Sequence, residues 1–168
     1  MKATLSRWLV FFLVSCQSPQ ESQLTVVSTP SSTLSIDFKK SLPKLVEVPA
    51  NFYSNLEIEE WKQLNRWCSQ FEDLSKMNSK GMGVFLSGLE FQTRVFSNSK
   101  FPEIFDIYPV RSRLKVVQMQ AQKAKFYAAT EQYEKLDGAL DTLYRHYNSF
   151  LNRILSIAKE TPLIAEEN

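Results

Sequence analysis

The stretch PVRSRLKVVQMQAQKAKFYA (109–128), followed after a short break by YEKLDGALDTLYRHYNSFLNRILSI (133–157), decides the fold. In the first run Val110, Leu114, Val117, Ala121, Ala124 and Ala128 recur at alternating steps of four and three. In the second, Tyr133, Leu136, Leu140, Leu143, Tyr147, Phe150, Ile154 and Ile157 do the same. Such spacing returns apolar side chains to a single stripe of a helix, the a/d seam of a coiled coil. Two seams broken near Thr130 predict an antiparallel helical hairpin, in which the alanines of one helix admit the large side chains of the other. Pro109 suits the first helical position, and Thr161-Pro162 ends the second helix.

Upstream, the pattern from Ser54 to Met77 is helical. Ser54 and Glu57 form a capping box, the acidic Glu57, Glu59 and Glu60 suit the positive helix end, and Ile58, Trp61, Leu64, Cys68 and Phe71 make the stripe, widened by Trp67 and Leu74. The segment from Asn78 to Gly83 holds two of the four glycines and breaks the pattern. A second helix is expected from Val84 to about Ser97, drawing on Phe85, Leu89, Val95 and Phe96. A turn of helix is expected between Phe101 and Tyr108. The fold class is all-α, a small bundle of about four helices. A closed bundle and a long hairpin with two docked helices both satisfy this pattern.

The N-terminal third differs. Lys2 and Arg7 precede an apolar run from Trp8 to Val14, which is far shorter than the roughly 20 residues of a membrane span. Leu13-Val14-Ser15-Cys16 resembles a bacterial lipobox. That resemblance implies cleavage before Cys16 and acylation of its sulfur, an anchor worth about 0.8 kcal/mol per buried CH₂. Residues 1–15 are then a signal peptide, 16–50 a lipidated cysteine with a Ser/Thr/Gln/Pro-rich tether, 51–162 the helical domain and 163–168 a frayed end. Within the tether, Leu24-Thr25-Val26-Val27 and Lys44-Leu45-Val46-Glu47-Val48 are β-prone and are expected as short extended pieces lying along the domain, without forming a sheet. Removing residues 1–15 leaves 18 basic and 18 acidic side chains. A formally neutral domain has no global attraction for nucleic acid or anionic lipid. With Cys16 acylated, Cys68 has no disulfide partner.

No constellation points to chemistry. His146 is the single histidine, and one His with one free Cys cannot assemble a zinc site. As a haem ligand His146 would need Met77, Met82 or Met119 opposite it, and no Cys-x-x-Cys-His run is present. The carboxylates Glu131, Glu134, Asp137 and Asp141 lack the Glu-x-x-His pairs of di-metal bundles. Cys68 sits on an apolar seam, where cysteine behaves as a small hydrophobe. The expectation is a protein that is not an enzyme and carries no cofactor.

The concentrated basic feature is Arg111, Arg113 and Lys115, the candidate partner-binding residues, with Lys123 and Lys125 further on. They are expected either to meet an acidic partner or phosphate headgroup, or to pair with the acidic face from Glu131 to Asp141. Arg111 and Arg113 stand at the helix end that disfavours cations, a hint of a specific partner carboxylate or ligand. The aromatics Phe85, Phe91, Phe96, Phe101, Phe105 and Tyr108 serve either as core or as a groove for an apolar ligand.

The run 109–117 with 121–128 is similar to small helical lipoproteins of Bacteroidota. The resemblance covers the last sixty residues or so plus the signal, and implies an envelope address and a helical hairpin without catalytic residues. In that phylum surface export goes with acidic residues soon after the cysteine. Gln17-Ser18-Pro19-Gln20-Glu21 has no acidic pair, which implies the periplasmic face of the outer membrane. Three functions follow: an interaction or structural module docking an envelope protein, a binder of a small apolar ligand among the aromatics, and a haem or metal bundle.

Overall fold

A computed structural model describes residues 42–161, apart from Glu57 and the side chain of Ser79. The expected signal segment, Cys16, most of the expected tether, the Glu57 half of the capping box and the expected frayed end lie outside the described residues. The domain is all-helical. Its helices are α1 (Lys62–Leu74), α2 (Ser79–Ser97), α3 (Tyr108–Ala129) and α4 (Tyr133–Glu160), with short 3-10 turns at Ser54–Leu56 and Glu103–Phe105.

The hairpin is as the sequence predicts. All six apolar seam positions of α3 are buried, and so are all those of α4 from Leu136 to Ile157. The turn between the helices is a Schellman motif: the Gln132 amide donates to the Tyr127 carbonyl at 2.9 Å and the Glu131 amide to Ala128 at 3.3 Å. Glu131 takes the left-handed position at φ 55°, where glycine is usual.

Beyond the hairpin, α2 packs on α3 and α1 on α2. The ring then closes, because α1 meets α4 through side chains. Phe71 and Tyr147 stand 4.2 Å apart by ring centroids, Trp67 and Phe150 5.3 Å apart, and the Tyr144 hydroxyl donates to the Phe71 carbonyl at 3.0 Å. Of the two architectures, the molecule adopts the closed bundle. Trp67 Nε1 donates to Thr93 Oγ1 at 3.0 Å, which ties α1 to α2 and satisfies that buried indole donor.

Two boundaries depart from expectation. Ser54 does not cap a helix reaching back from Met77. It sits in a 3-10 turn and its hydroxyl donates to the Asn51 carbonyl, while α1 starts eight residues later at Lys62. The intervening chain is held by the Ile58 amide on the Tyr53 carbonyl and by Asn65, which accepts from the Tyr53 hydroxyl and donates to Glu60. It is folded back so that Phe52 and Trp61 both stack on Phe105. Burying those rings outweighs local helix propensity. In contrast, α2 starts earlier than expected. Asn78 is its N-cap, with its side chain accepting from the Gly81 amide at 3.0 Å, so the glycine-rich segment forms the first turns. Gly83 lies where α2 comes close to the Ala128 carbonyl of α3. The buried face of α2 is Met82, Leu86, Leu89, Thr93 and Phe96, and Val95 points outward.

Residues 42–49 are extended and lie along α4, as the β-prone segment suggested, with Leu42, Leu45, Val46 and Val48 partly buried against the core. Among the described residues no helix is long and apolar enough to cross a membrane.

Candidate functional site

The basic segment at the start of α3 is pulled apart by the fold. Arg111 turns back toward the end of α2. Its Nε donates to Asp106 at 2.7 Å, its Nη1 to the Ser97 carbonyl at 2.8 Å and to Ser99 at 3.3 Å, and the guanidinium lies 3.7 Å from the centroid of Phe101. A cation at the wrong end of its own helix thus stands at the favourable, negative end of its neighbour. The carboxylate hinted at by that misplacement is Asp106 of the same chain. The hydrogen bond from Arg111 holds the Asp106 carboxyl below the usual carboxylate range.

Lys115 reaches Gln118, one turn along, at 3.1 Å. Lys125 pairs across the helix interface with the nearly buried Glu90 of α2 at 3.3 Å. On the expected acidic face, Asp141 takes a bidentate pair from Arg145 of its own helix, at 2.7 and 3.1 Å.

Arg113 goes the other way. Its Nη1 donates to the Pro109 carbonyl at 2.8 Å, and the side chain lines a shallow groove of about 550 Å³ against α4. Arg145, Asn152, Arg153 and Ser156 of α4 line it too, with Pro43 as a wall. Sequence reading missed Arg145 and Arg153 here. They belong to the polar side of an amphipathic helix, and no periodicity in one helix reports which residue of another stands opposite.

The aromatics of the middle of the chain fill the core. Trp61 lies 4.5 Å from Phe101 and 5.4 Å from Phe96, and Phe96 stacks on Trp67 at 5.1 Å. Phe105 is fully buried. Two large side chains of this group point out instead: Phe91 is half exposed and Tyr108 is 84 % exposed. They belong to two outward stripes, Val84, Phe91 and Val95 on α2 and Tyr108, Met119 and Phe126 on α3. Each recurs at helical spacing directly opposite its helix's buried face.

Cys68 is buried beside Tyr147. Burial pushes its thiol from the ordinary 9.0 up to about 11, the nearby Glu72 charge adding to the rise while a hydrogen bond with Tyr147 opposes it. A protonated, buried thiol is a poor nucleophile. His146 is partly exposed on α4. Among the described residues no three His, Cys, Asp or Glu side chains gather as a metal-binding group. Compared with known proteins, the chain matches no family model, no curated protein and no solved structure.

Proposed function

We propose that this chain is a lipid-anchored envelope protein, held by Cys16 at the periplasmic face of the outer membrane, whose helical bundle docks an envelope protein without catalysing a reaction. The observation that carries the docking half is the pair of outward apolar stripes on α2 and α3. The bundle is already closed, yet Val84 is 81 % exposed and Phe91, Met119 and Phe126 are about half exposed. Apolar side chains repeated along the outward side of a helix, with Arg94 over the Phe91 ring at 5.4 Å, are the composition that an interaction surface draws on. Support for the anchor comes from the charged start, the short apolar run and the lipobox-like residues 13–16.

Metabolic labelling with palmitate, followed by fractionation of the native chain and a Cys16→Ser variant, tests the anchor. The expected result is label on the native chain only and release of the variant from the membrane fraction. An unlabelled native chain that fractionates as the variant does removes the envelope assignment. For the docking face, a photo-crosslinking residue at position 91 or 126 is expected to capture one defined envelope protein, whereas the same residue at Lys159 is not. Equal capture from both faces sinks the docking proposal.

A further inference from the structure

The polar groove between the start of α3 and the second half of α4 is lined by donors. Arg145, Ser149, Asn152 and Ser156 stand at steps of four, three and four on one face of α4, with Arg153 beside them and Arg113 reaching across from α3. Among the described residues no carboxylate lines the groove. Asp141 pairs with Arg145 at 2.7 Å, and Glu160 meets Arg153 at 3.6 Å and accepts from the Ser156 hydroxyl at 2.6 Å, both from outside the lining. Asn148 is occupied by the strap, which sets Pro43 as the far wall.

We propose that this groove binds a phosphate-type oxyanion, with Arg113, Arg145 and Arg153 as the charged contacts and Ser149 and Asn152 as neutral donors. Arg113 has one N–H on the Pro109 carbonyl and keeps the rest of its fork. Arg153 is about 30 % exposed, open to ligand yet shielded on its stem. Guanidinium forks match the oxygen spacing of phosphate, and charge-assisted bonds of this type are the strong ones. Inorganic phosphate or a phosphate monoester carries nearly two charges and a lipid phosphodiester one, and each offers at least two unesterified oxygens to donors from two helices. The Arg145–Asp141 pair is solvent-exposed, so sharing Arg145 with a ligand costs little. The phosphate comes either from a free phosphate compound or from a lipid headgroup, and in both the guanidinium forks meet unesterified phosphate oxygens.

The experiment uses the full chain carrying Cys16→Ser, so that acyl groups play no part and failure of the anchor reading leaves this test untouched. Calorimetric titration with inorganic phosphate and pyrophosphate, against chloride at equal ionic strength, reports the free source. Co-sedimentation with phosphatidylglycerol-containing vesicles, against pure phosphatidylcholine, reports the headgroup source. The expected result is binding in at least one arm that weakens tenfold or more in Arg113→Gln/Arg153→Gln and is unchanged in Lys80→Gln on α2. Binding in the calorimetric arm identifies a free phosphate compound, and binding in the vesicle arm alone identifies a headgroup. Arg153→Gln alone gives the same direction of change if the double variant loses its helical circular dichroism. Absence of binding in both arms, or affinity that all variants share, overturns the proposal.

Discussion

The backbone amide of Val46 donates a 2.8 Å hydrogen bond to Oδ1 of Asn148, 102 residues further along the chain. The same side chain donates from Nδ2 to the Lys44 carbonyl at 2.8 Å. Two backbone groups of a segment that pairs with no strand among the described residues are therefore satisfied by one helix side chain, and the Tyr147 hydroxyl donates to the Val46 carbonyl at 3.4 Å. Replacing Asn148 by Ala should lower the unfolding free energy by about 1–2 kcal/mol, the net worth of two such bonds. Hydrogen exchange at Val46 should accelerate far more than at the α4 amides. Val46 exchange that stays slow would show the strap to be held by its apolar side chains alone.

Arg111 joins three backbone and side-chain acceptors and one ring at the corner between α2 and α3. Arg111→Ala is expected to cost about 1–3 kcal/mol, at the lower end because the side chain is 30 % exposed and solvent screens its ion pair. Arg111→Lys should recover only part of that loss, since a point charge cannot serve Asp106 and the Ser97 carbonyl with fixed forked geometry. Chemical denaturation of the three proteins measures both values. Full rescue by Lys would mean that charge alone matters there.

Glu131 occupies a backbone conformation that disfavours any side chain. Relief of roughly 1 kcal/mol or more of left-handed strain, offset in part by the entropy of a glycine in the unfolded chain, gives Glu131→Gly a net gain of about 0.5–1 kcal/mol. The reading is a rise in the denaturant midpoint with an unchanged slope. A fall would indicate that the Glu131 carboxylate makes a contribution larger than its strain.

Ala121 and Ala124 are fully buried where α3 meets its neighbours. Ala121→Leu should destabilise by about 1–3 kcal/mol through overpacking. Met119→Leu on the outer face of the same helix should stay within about 0.5 kcal/mol. Similar thermal midpoints for both variants would place α3 further from the core than its burial indicates.

Alkaline pH should weaken the fold. Burial holds the Cys68 thiol near 11 and Tyr53 near 12, and raises Tyr144 and Tyr147 as well. These acids stay neutral when folded but ionise at their ordinary values when unfolded. Their contribution is therefore complete below about pH 9 and is lost as pH climbs through the folded values. Cys68→Ala should flatten the first part of that decline, between the ordinary thiol value of 9.0 and about 11. A stability profile that is level from pH 8 to 11 would contradict this.

Much of the fold was legible where the pattern was periodic. The seams from Val110 to Ala128 and from Leu136 to Ile157 needed only the identity of every third or fourth residue. Ser54 misled because a capping box is a local signal, and Phe52 and Trp61 gain more by packing on Phe105 than the segment gains by starting a helix. Asn78 was hidden by the glycines after it, which weaken a helix on average, although the Asn78 side chain caps the Gly81 amide and starts the helix there. Of the basic segment, position was readable and direction was not: Arg111, Arg113 and Lys115 leave the same turns of α3 toward three different destinations.

The sequence by itself determined which residues are helical in the last third and which side of each helix is apolar. Those properties depend on neighbours within a turn or two. Only the tertiary structure decided that the bundle closes through Phe71 and Tyr147, that Arg111 is used internally, and that Arg113 faces Arg145 and Arg153 across a groove. Each of these joins side chains distant in the chain, and helix packing, rather than any local preference, sets which of them meet.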